Sequence, residues 1–400
     1  MKGMRQPSVF LLFLTCTAAA CGDGGGEGRD GAVDADVPDL VVDDGAADAD
    51  GADRDGIPDL PDLPDAESPG DGTGDDPVED EAGDTPGEEI PPSCALTDSG
   101  PVEATSDGQV FELLRVTSAS GPAVTVNGFS NVVIRNCEIR HAGGAGIGFG
   151  NAPGIRIENV SVIHEGAPAA GQNPSDGLNN IEGEFSSGVV ITGVRLEKGS
   201  SGIYLLECPG ASLSFVEGHD FRGPFPRGQV VQFNHCDGAV LEDFSSECPA
   251  ATAWTEDNVS VYQSSNVTVR RGLVDGNDSP SGVGVMFELS GGGSSGGLVE
   301  DVDAVRQGNG CFSGYPAFDV VFRRTRSRDN ICSDQGRGAP LSGGLAWAGS
   351  PESSNLMIED SSYFNLCAGL VWLEDVFTAV DLSEEDFTLR EPLRLSFCWL

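Results

Sequence analysis

Aromatic side chains make up only 7% of the 400 residues, and basic ones are scarcer still: 22 Lys and Arg stand against 64 Asp and Glu, a formal net charge of −42. Phosphate contacts need clustered Lys and Arg, so this balance excludes nucleic-acid binding as a main role. It also excludes a long-range pull on polyanionic polymers, although a local Arg cluster could still hold one. No apolar run approaches the roughly 20 residues a spanning helix needs. No CxxC or Cys/His spacing of a zinc site occurs. Helical periodicity is absent beyond residue 93.

The amino terminus is an address. Lys2 and Arg5 precede an apolar run, Val9 to Leu14, then small residues Thr15 to Ala20, then Cys21. A charged region, a short apolar region and a small-residue cleavage site make an export signal. Ala18-Ala19-Ala20-Cys21 resembles the bacterial lipobox, with Ala18 where that motif usually has Leu. The resemblance implies cleavage before Cys21 and acylation of it; the alternative is an ordinary secretory signal cut near Ala20. Several acyl chains on one residue anchor stably. Gly22 resembles the residue that follows the cysteine in lipoproteins sent to the outer membrane. The expected location is therefore outside the cytoplasm, anchored at the outer membrane or cell surface, with the lipid as the only membrane contact.

Residues 22–93 hold 25 acids against Arg29 and Arg54. With almost no aromatic surface to bury, the ordering entropy cannot be recovered, so a disordered, self-repelling linker is expected. Within it Asp48, Asp50, Asp53, Asp55 and Asp59 alternate around Gly56. Carboxylates so spaced can surround a hard cation. The stretch resembles one thrombospondin type 3 repeat without that family's cysteines; a solvated acidic linker is the competing reading. No cofactor is required, and calcium is the one these residues would admit.

From residue 94 the chain repeats. "NVVIRNCEIR" (131–140), "GIRIENVSVI" (154–163), "GVVITGVRLE" (188–197) and "GAVLEDFSSE" (238–247) align. One column reads Ile134, Ile157, Ile191, Leu213, Leu241, Val269, Val299, Phe322, Ile358, at spacings of 22 to 36 residues. A second runs from Val132 to Leu356, and a third includes Cys137, Val160, Val194, Val216 and Phe244. Apolar and polar residues alternate within each copy, the strand period. A second strand opens with Gly and an aliphatic at Gly146-Ile147, Gly177-Leu178, Gly202-Ile203, Gly282-Val283, Gly344-Leu345 and Gly369-Leu370. One such coil cannot bury its own inward face, so coils must stack into a solenoid. Asn277, Asn330 and Asn365 fall near one coil position, where amides can stack. These repeats resemble the right-handed parallel β-helix of the pectate-lyase-like superfamily over about 120–375. The expected architecture is thus a signal (1–21), a linker (22–93) and an all-β helix domain (94–400) of about nine to ten coils. Residues 94–125 and 376–400 are expected to cap its open ends.

Nine cysteines follow the lipobox. Cys137 lies in an apolar column and reads as a buried thiol. Cys208 and Cys236 are one coil apart, within disulfide reach if stacked; Cys236–Cys248 competes, and Cys311–Cys332 follows the same logic.

Chemistry in this superfamily sits on one strand face between protruding loops, here 164–177 and 333–344. Outward polar positions include Asp176, Asn179, Tyr204, Glu207, Gln232, His235, Glu256, Asp257, Ser260 and Tyr262. Of these, Asp176, Glu207, His235 and Asp257 are candidate catalytic residues, since glycoside hydrolysis needs paired carboxylates. Asn179, Tyr204, Gln232, Ser260 and Tyr262 are candidate sugar contacts, with Arg323 and Arg324 available to grip a carboxylated or sulfated glycan. Solvated rungs and charge balance are the competing readings. "DNVSVYQSSNVTVRR" (257–271) is similar to a pectate lyase stretch ending in Asp-His, but Arg270-Arg271 occupy those places. Polygalacturonase Gly-His-Gly is met only by Gly218-His219-Asp220, and Lys198 alone could serve a lysine-base lyase. A monomeric surface module that binds or processes polysaccharide is the expectation. A divergent lyase or hydrolase, and a non-catalytic structural or adhesive protein, are the alternatives.

Overall fold

A computed structural model describes residues 94–399 except 168, 170–177, 224–226, 250–252, 254, 278, 280–281, 289–295, 315, 330–345, 349–352 and 367–376. Cys21 and the aspartates of 48–59 lie outside the described residues.

Every described strand pairs parallel with the equivalent strand one coil away. One sheet stacks twelve strands in sequence from Thr97–Ser99 to Phe377–Val380, with short strands off this path; the second stacks ten, from Val102–Glu103 to Ala346–Ala348. The expected apolar column is one unbroken ladder: Ile134 pairs with Ile157, Ile157 with Ile191, Ile191 with Leu213, Leu213 with Leu241, and so on to Phe322 with Ile358. Its members are no more than 1% exposed. Twelve rungs exceed the nine or ten read from the repeat. The first and last rungs are short and mostly exposed, so they carry little of the alternating pattern that marks a coil.

Left-handed residues bend each coil at fixed places. Asn136, Asn159, Gly193, Phe215, Asp243, Arg271, Asp301, Arg324, Asp360 and Asp381 all have φ between 48° and 66° and stack along the middle of the first sheet. Such a conformation costs a side chain roughly 1–2 kcal/mol, least for Asn, Asp and Gly, which explains their prevalence. A further ladder, Phe185, Glu207, His235 and Gln263, ends the strands of the second sheet.

The core alternates large with absent side chains. A Cβ on Gly183 would lie 2.1 Å from the Phe149 ring, one on Gly272 2.1 Å from Phe244, and one on Gly297 2.4 Å from Phe287. Each ring fills the space its neighbouring rung leaves.

Several expectations change. The second-sheet strands Val231–Asn234 and Val259–Tyr262 open after Val230 and Asn258, not after Gly. Asn258 replaces the glycine because its buried amide bonds the corner, accepting from Ser246 Oγ (3.0 Å) and donating to Gln307 Oε1 (3.0 Å). The strand expected at Gly177-Leu178 begins at Ile181. Asn277 stacks on Gln307, whereas Asn365 bonds Asp329; Asn330 lies outside the described residues.

The cysteines change too. Cys94 and Cys398 form a disulfide across 304 residues, while Cys208, Cys236 and Cys248 keep their thiols. Cys208 and Cys236 do stack, but inside a hydrogen-bond ladder. The Ala152 N–H donates to Ser186 Oγ (2.9 Å), which donates to Glu184 O (2.8 Å). The Cys236 N–H donates likewise to Ser264 Oγ (2.8 Å), which donates to Tyr262 O (2.9 Å). Between them the Cys208 N–H meets Cys236 Sγ (3.4 Å), and that thiol faces Asn234 O (3.3 Å). The two cysteines thus stand where other rungs carry serine. A Cys208→Ser/Cys236→Ser protein is expected to melt within about 1 kcal/mol of the parent; a loss of about 3 kcal/mol would mean that a disulfide had been removed. Cys332 is outside the described residues.

The carboxyl end stacks on the preceding coil through Phe377–Val380 and Ser383–Glu384 and then leaves the rung. After Ser383–Glu384, which pairs with Ser362–Phe364, the chain turns back along the outer face of the first sheet to Cys94. Its main chain binds charged groups of the sheet: the Arg390 N–H donates to Asp303 and the Leu395 N–H to Glu217, at 2.7 and 2.8 Å.

Candidate functional site

The outer face of the second sheet presents two polar columns. Glu182, Tyr204, Gln232 and Ser260 stand one above another, followed by Met286. Two residues on, Glu184, Leu206, Asn234, Tyr262 and Glu288 form the second column. The coil spacing, about 4.8 Å, sets the step between them. Asn234 Nδ2 donates to Tyr204 Oη (3.1 Å), tying adjacent coils together. Arg227 lies over the Tyr204 ring, 5.8 Å from its centre.

At the start of these strands a polar spine runs from coil to coil. The Ser201 N–H donates to Asn179 Oδ1 (3.1 Å), Ser201 Oγ to Gln229 Oε1 (2.8 Å), and Gln229 Nε2 to Glu256 Oε2 (3.3 Å). The Glu256 N–H donates to Arg227 O (2.9 Å). Asp257 accepts the Val283 N–H (2.8 Å) and is 2% exposed. Glu256 and Glu288 are half-buried.

Burial dominates the chemistry of these acids. It pushes the Glu256 carboxyl up to about 8, aided by the charge of Glu288 and partly offset by Arg227. Burial alone takes Glu288 up to about 7. Asp257 is also pushed up, first by burial and then by Glu256 and Glu288. Near neutral pH such a site can hold a proton on a carboxyl, the condition for donating one to a leaving oxygen.

The candidates fall apart in space. Asn179 is buried and engaged in the spine, a positioning residue. Tyr204, Gln232 and Tyr262 share the outer face and are partly exposed, whereas Ser260 in the same column is 2% exposed. Glu207 and His235 neighbour each other but sit exposed in the turn ladder at the opposite strand ends from Asp257, and His235 Nδ1 lies 2.7 Å from Asn234 Oδ1. Asp176 is outside the described residues. Arg323 and Arg324 lie on the first sheet, not beside these columns. Arg323 bonds Glu359 (2.8 Å), and Arg324 bonds both oxygens of Asp301 (2.8 and 2.9 Å). Arg227 and Glu288 were not legible as site residues. Glu288 is marked only by its place at the end of a strand, before "SGGGSSGG". Among the described residues no group of three or more His, Cys, Asp and Glu is placed to hold a metal ion.

The model of the family described as "Right handed beta helix region" matches residues 102–224. That match coincides with the parallel ladders above. The described residues fold as a right-handed parallel β-helix. No curated protein matches it. Among solved structures the β-helix is similar to a tailspike protein mutant of E. coli bacteriophage HK620 in complex with a pentasaccharide, at 13% identity and a TM-score of 0.45, over 72% of this chain and 53% of that one. It thus spans about half the tailspike's length. It is also similar to PfbA, a surface adhesin of Streptococcus pneumoniae (10%, TM-score 0.43, 74% of each chain). A third is a hyperthermoactive exopolygalacturonase from Thermotoga maritima (11%, TM-score 0.41, 73% of this chain and 93% of that one).

Proposed function

We propose that the outer face of the second sheet holds a polysaccharide chain laid along the β-helix axis. The observation that supports this most is a run of polar side chains on successive coils, Tyr204, then Gln232 and Asn234, then Tyr262, with the two rings two coils apart; Ser260, 2% exposed, lies beneath them. A polymer aligned with the axis meets a similar group at each step, and rings bury sugar faces while hydroxyls bond the amides. The protein works in this reading as an exported monomer, acylated at Cys21 and held off the outer membrane or cell surface by its acidic linker. It needs no cofactor, and any calcium would belong to the linker.

A catalytic reading is favoured by one feature, the raised carboxyls of Glu256 and Glu288. Here Glu256 donates the proton to the leaving oxygen and Glu288 is the second carboxyl of a hydrolase.

The test uses the full chain against neutral, uronate and sulfated polysaccharides, with binding and new reducing ends both measured. Tyr204→Ala/Tyr262→Ala is expected to weaken binding about tenfold or more, about one stacking contact each. Glu256→Gln is expected to leave binding intact and to abolish turnover if turnover is found. Binding unaffected by the tyrosine changes would remove this face from the reading.

A further inference from the structure

Residues 386–399 lie across the outer face of the first sheet. They cover a single outward column in which Glu138, Ser161, Arg195, Glu217, Ser245, Leu273, Asp303 and Arg326 stand in register. Glu217 and Ser245 are fully buried and Asp303 is 1% exposed, although all three point away from the core.

The way this segment is held is unlike the rest of the fold. Past Glu385 its main chain joins neither sheet. The Leu395 and Arg390 N–H groups reach Glu217 and Asp303, Arg328 Nη1 donates to Phe387 O (2.8 Å), and Arg326 lies 4.8 Å over the Phe387 ring. Arg394 lies 3.9 Å from Glu217, which also bonds Arg195 and His219. Phe397 is its one well-buried apolar residue. Several polar atoms at the contact are buried without a hydrogen bond: Ser245 Oγ, Arg195 Nε, Arg390 Nε and Trp399 Nε1. Each such atom forfeits the solvation it had in water. Two open surface grooves, of about 720 and 440 Å3, flank the segment where Phe387 and Arg390 cross the sheet. This is a charged, mainly polar contact, with Arg394 paired to Glu247 (2.5 Å), Asp386 paired to Arg328 (2.9 Å) and a covalent tie at its far end, Cys94–Cys398. Cys94 and Cys398 are both partly exposed, so a reductant can reach them.

We propose that residues 386–399 are a disulfide-latched strap, which leaves the first sheet when a dithiol reductant cleaves Cys94–Cys398 and uncovers the column of Glu217, Ser245 and Asp303 while the coils stay folded. One thiolate of the reductant attacks a sulfur of the pair, and the S–S bond breaks to give a mixed disulfide. The second thiolate then displaces the protein sulfur. The protein gains two electrons and two protons as thiols, and the reductant departs as its own disulfide. The latch acts by holding the strap's far end close; reduction leaves only the main-chain tether at Glu385, and the advantage of the second link, about 10²–10⁴ in affinity for linked sites, is lost.

The experiment is hydrogen exchange with mass spectrometry on the full chain, oxidised and after dithiothreitol, beside limited trypsin digestion. Reduction is expected to speed exchange at 386–399 by about a hundredfold or more and to open cleavage after Arg394, while amides of Val190–Glu197 and Ser212–His219 keep their protection. Cys398→Ser is expected to show the reduced behaviour without reductant, which separates this bond from any other that dithiothreitol touches. The proposal fails if strap exchange is the same in both redox states. It also fails if strap and coils lose protection together, since the bond would then be a staple of the whole solenoid.

Discussion

Thermal stability is expected to fall steadily as pH rises from about 5 to 9, the reverse of the usual behaviour of an acidic protein with paired carboxylates. Glu256 and Glu288 titrate at about 8 and 7 in the folded chain against an ordinary 4.5. Between those limits the folded state binds more protons than the unfolded one, so stability decreases with pH. Their contribution is complete below pH 4.5 and is lost as pH passes 7 and then 8. At about 1.4 kcal/mol per pKa unit, Glu256 alone accounts for a loss on the order of 5 kcal/mol. His141 acts in the opposite sense. Burial first, then His164 stacked at 4.7 Å, lowers it to about 4, so its contribution is lost as pH falls from 6.5 to 4. Glu217, where burial is outweighed by His219 and Arg195, is lowered to about 2 and is lost between 4.5 and 2. A maximum in mildly acidic solution follows. Melting curves from pH 3 to 9 test it, and Glu256→Gln/Glu288→Gln is expected to flatten the alkaline limb and to exceed the parent at pH 9. A parent curve that is flat or rising above pH 5 would refute the raised carboxyls, and with them the acid role of Glu256.

The second large effect is expected at Gly276. Its φ is +88°, and a Cβ there would lie 2.0 Å from the carbonyl oxygen of Cys248 on the neighbouring coil. Left-handed strain costs roughly 1–2 kcal/mol and overpacking roughly 1–3 kcal/mol, and here the obstacle is backbone that cannot rotate away. Gly276→Ala should therefore cost about 2–5 kcal/mol in denaturant titration. Gly210 is the control. Its φ is +66° with nothing within 4 Å of a Cβ, and other rungs accept Asn131 and Asn266 in similar left-handed turns. Gly210→Ala should cost only about 1 kcal/mol. Equal losses at the two glycines would mean that the close approach of coils at Gly276 is not what the structure describes.

The two sheets were unequally legible. Strands of the first sheet have a long inward column of Ile, Leu and Val, and burial forces that alternation on the sequence, so the register from Ile134 to Ile358 could be read directly. Second-sheet strands are four residues long in most coils, and their corners are built in more than one way. Gly146 and Gly202 leave room for a turn, whereas Asn180 and Asn258 fill it with an amide that bonds the carbonyls. A rule based on glycine therefore missed Val231–Asn234 and Val259–Tyr262. The stacking of Cys208 on Cys236 was legible for the same reason as the core ladder. That their thiols cap main-chain groups was not, because it depends on where the Sγ atoms point.

Of the candidate site, the outward face of Tyr204, Gln232, Ser260 and Tyr262 follows from strand alternation and was open to inspection in the sequence. The spine of Asn179, Ser201, Gln229 and Glu256 was not, since its hydrogen bonds join side chains 22 to 28 residues apart at a corner where alternation breaks down. The acids are raised by burial, a property of the packed coils rather than of any motif.

The sequence by itself determined the solenoid, its inward ladders and the acidity of its surface, because a repeated coil must bury the same positions every time. Only the tertiary structure decided that the carboxyl end runs back to Cys94, that Arg323 and Arg324 are neutralised on the first sheet, and that burial, then the half-buried Glu256 and Glu288, raise the carboxyl of Asp257. Those outcomes depend on contacts between non-repeating segments, for which no periodic signal exists.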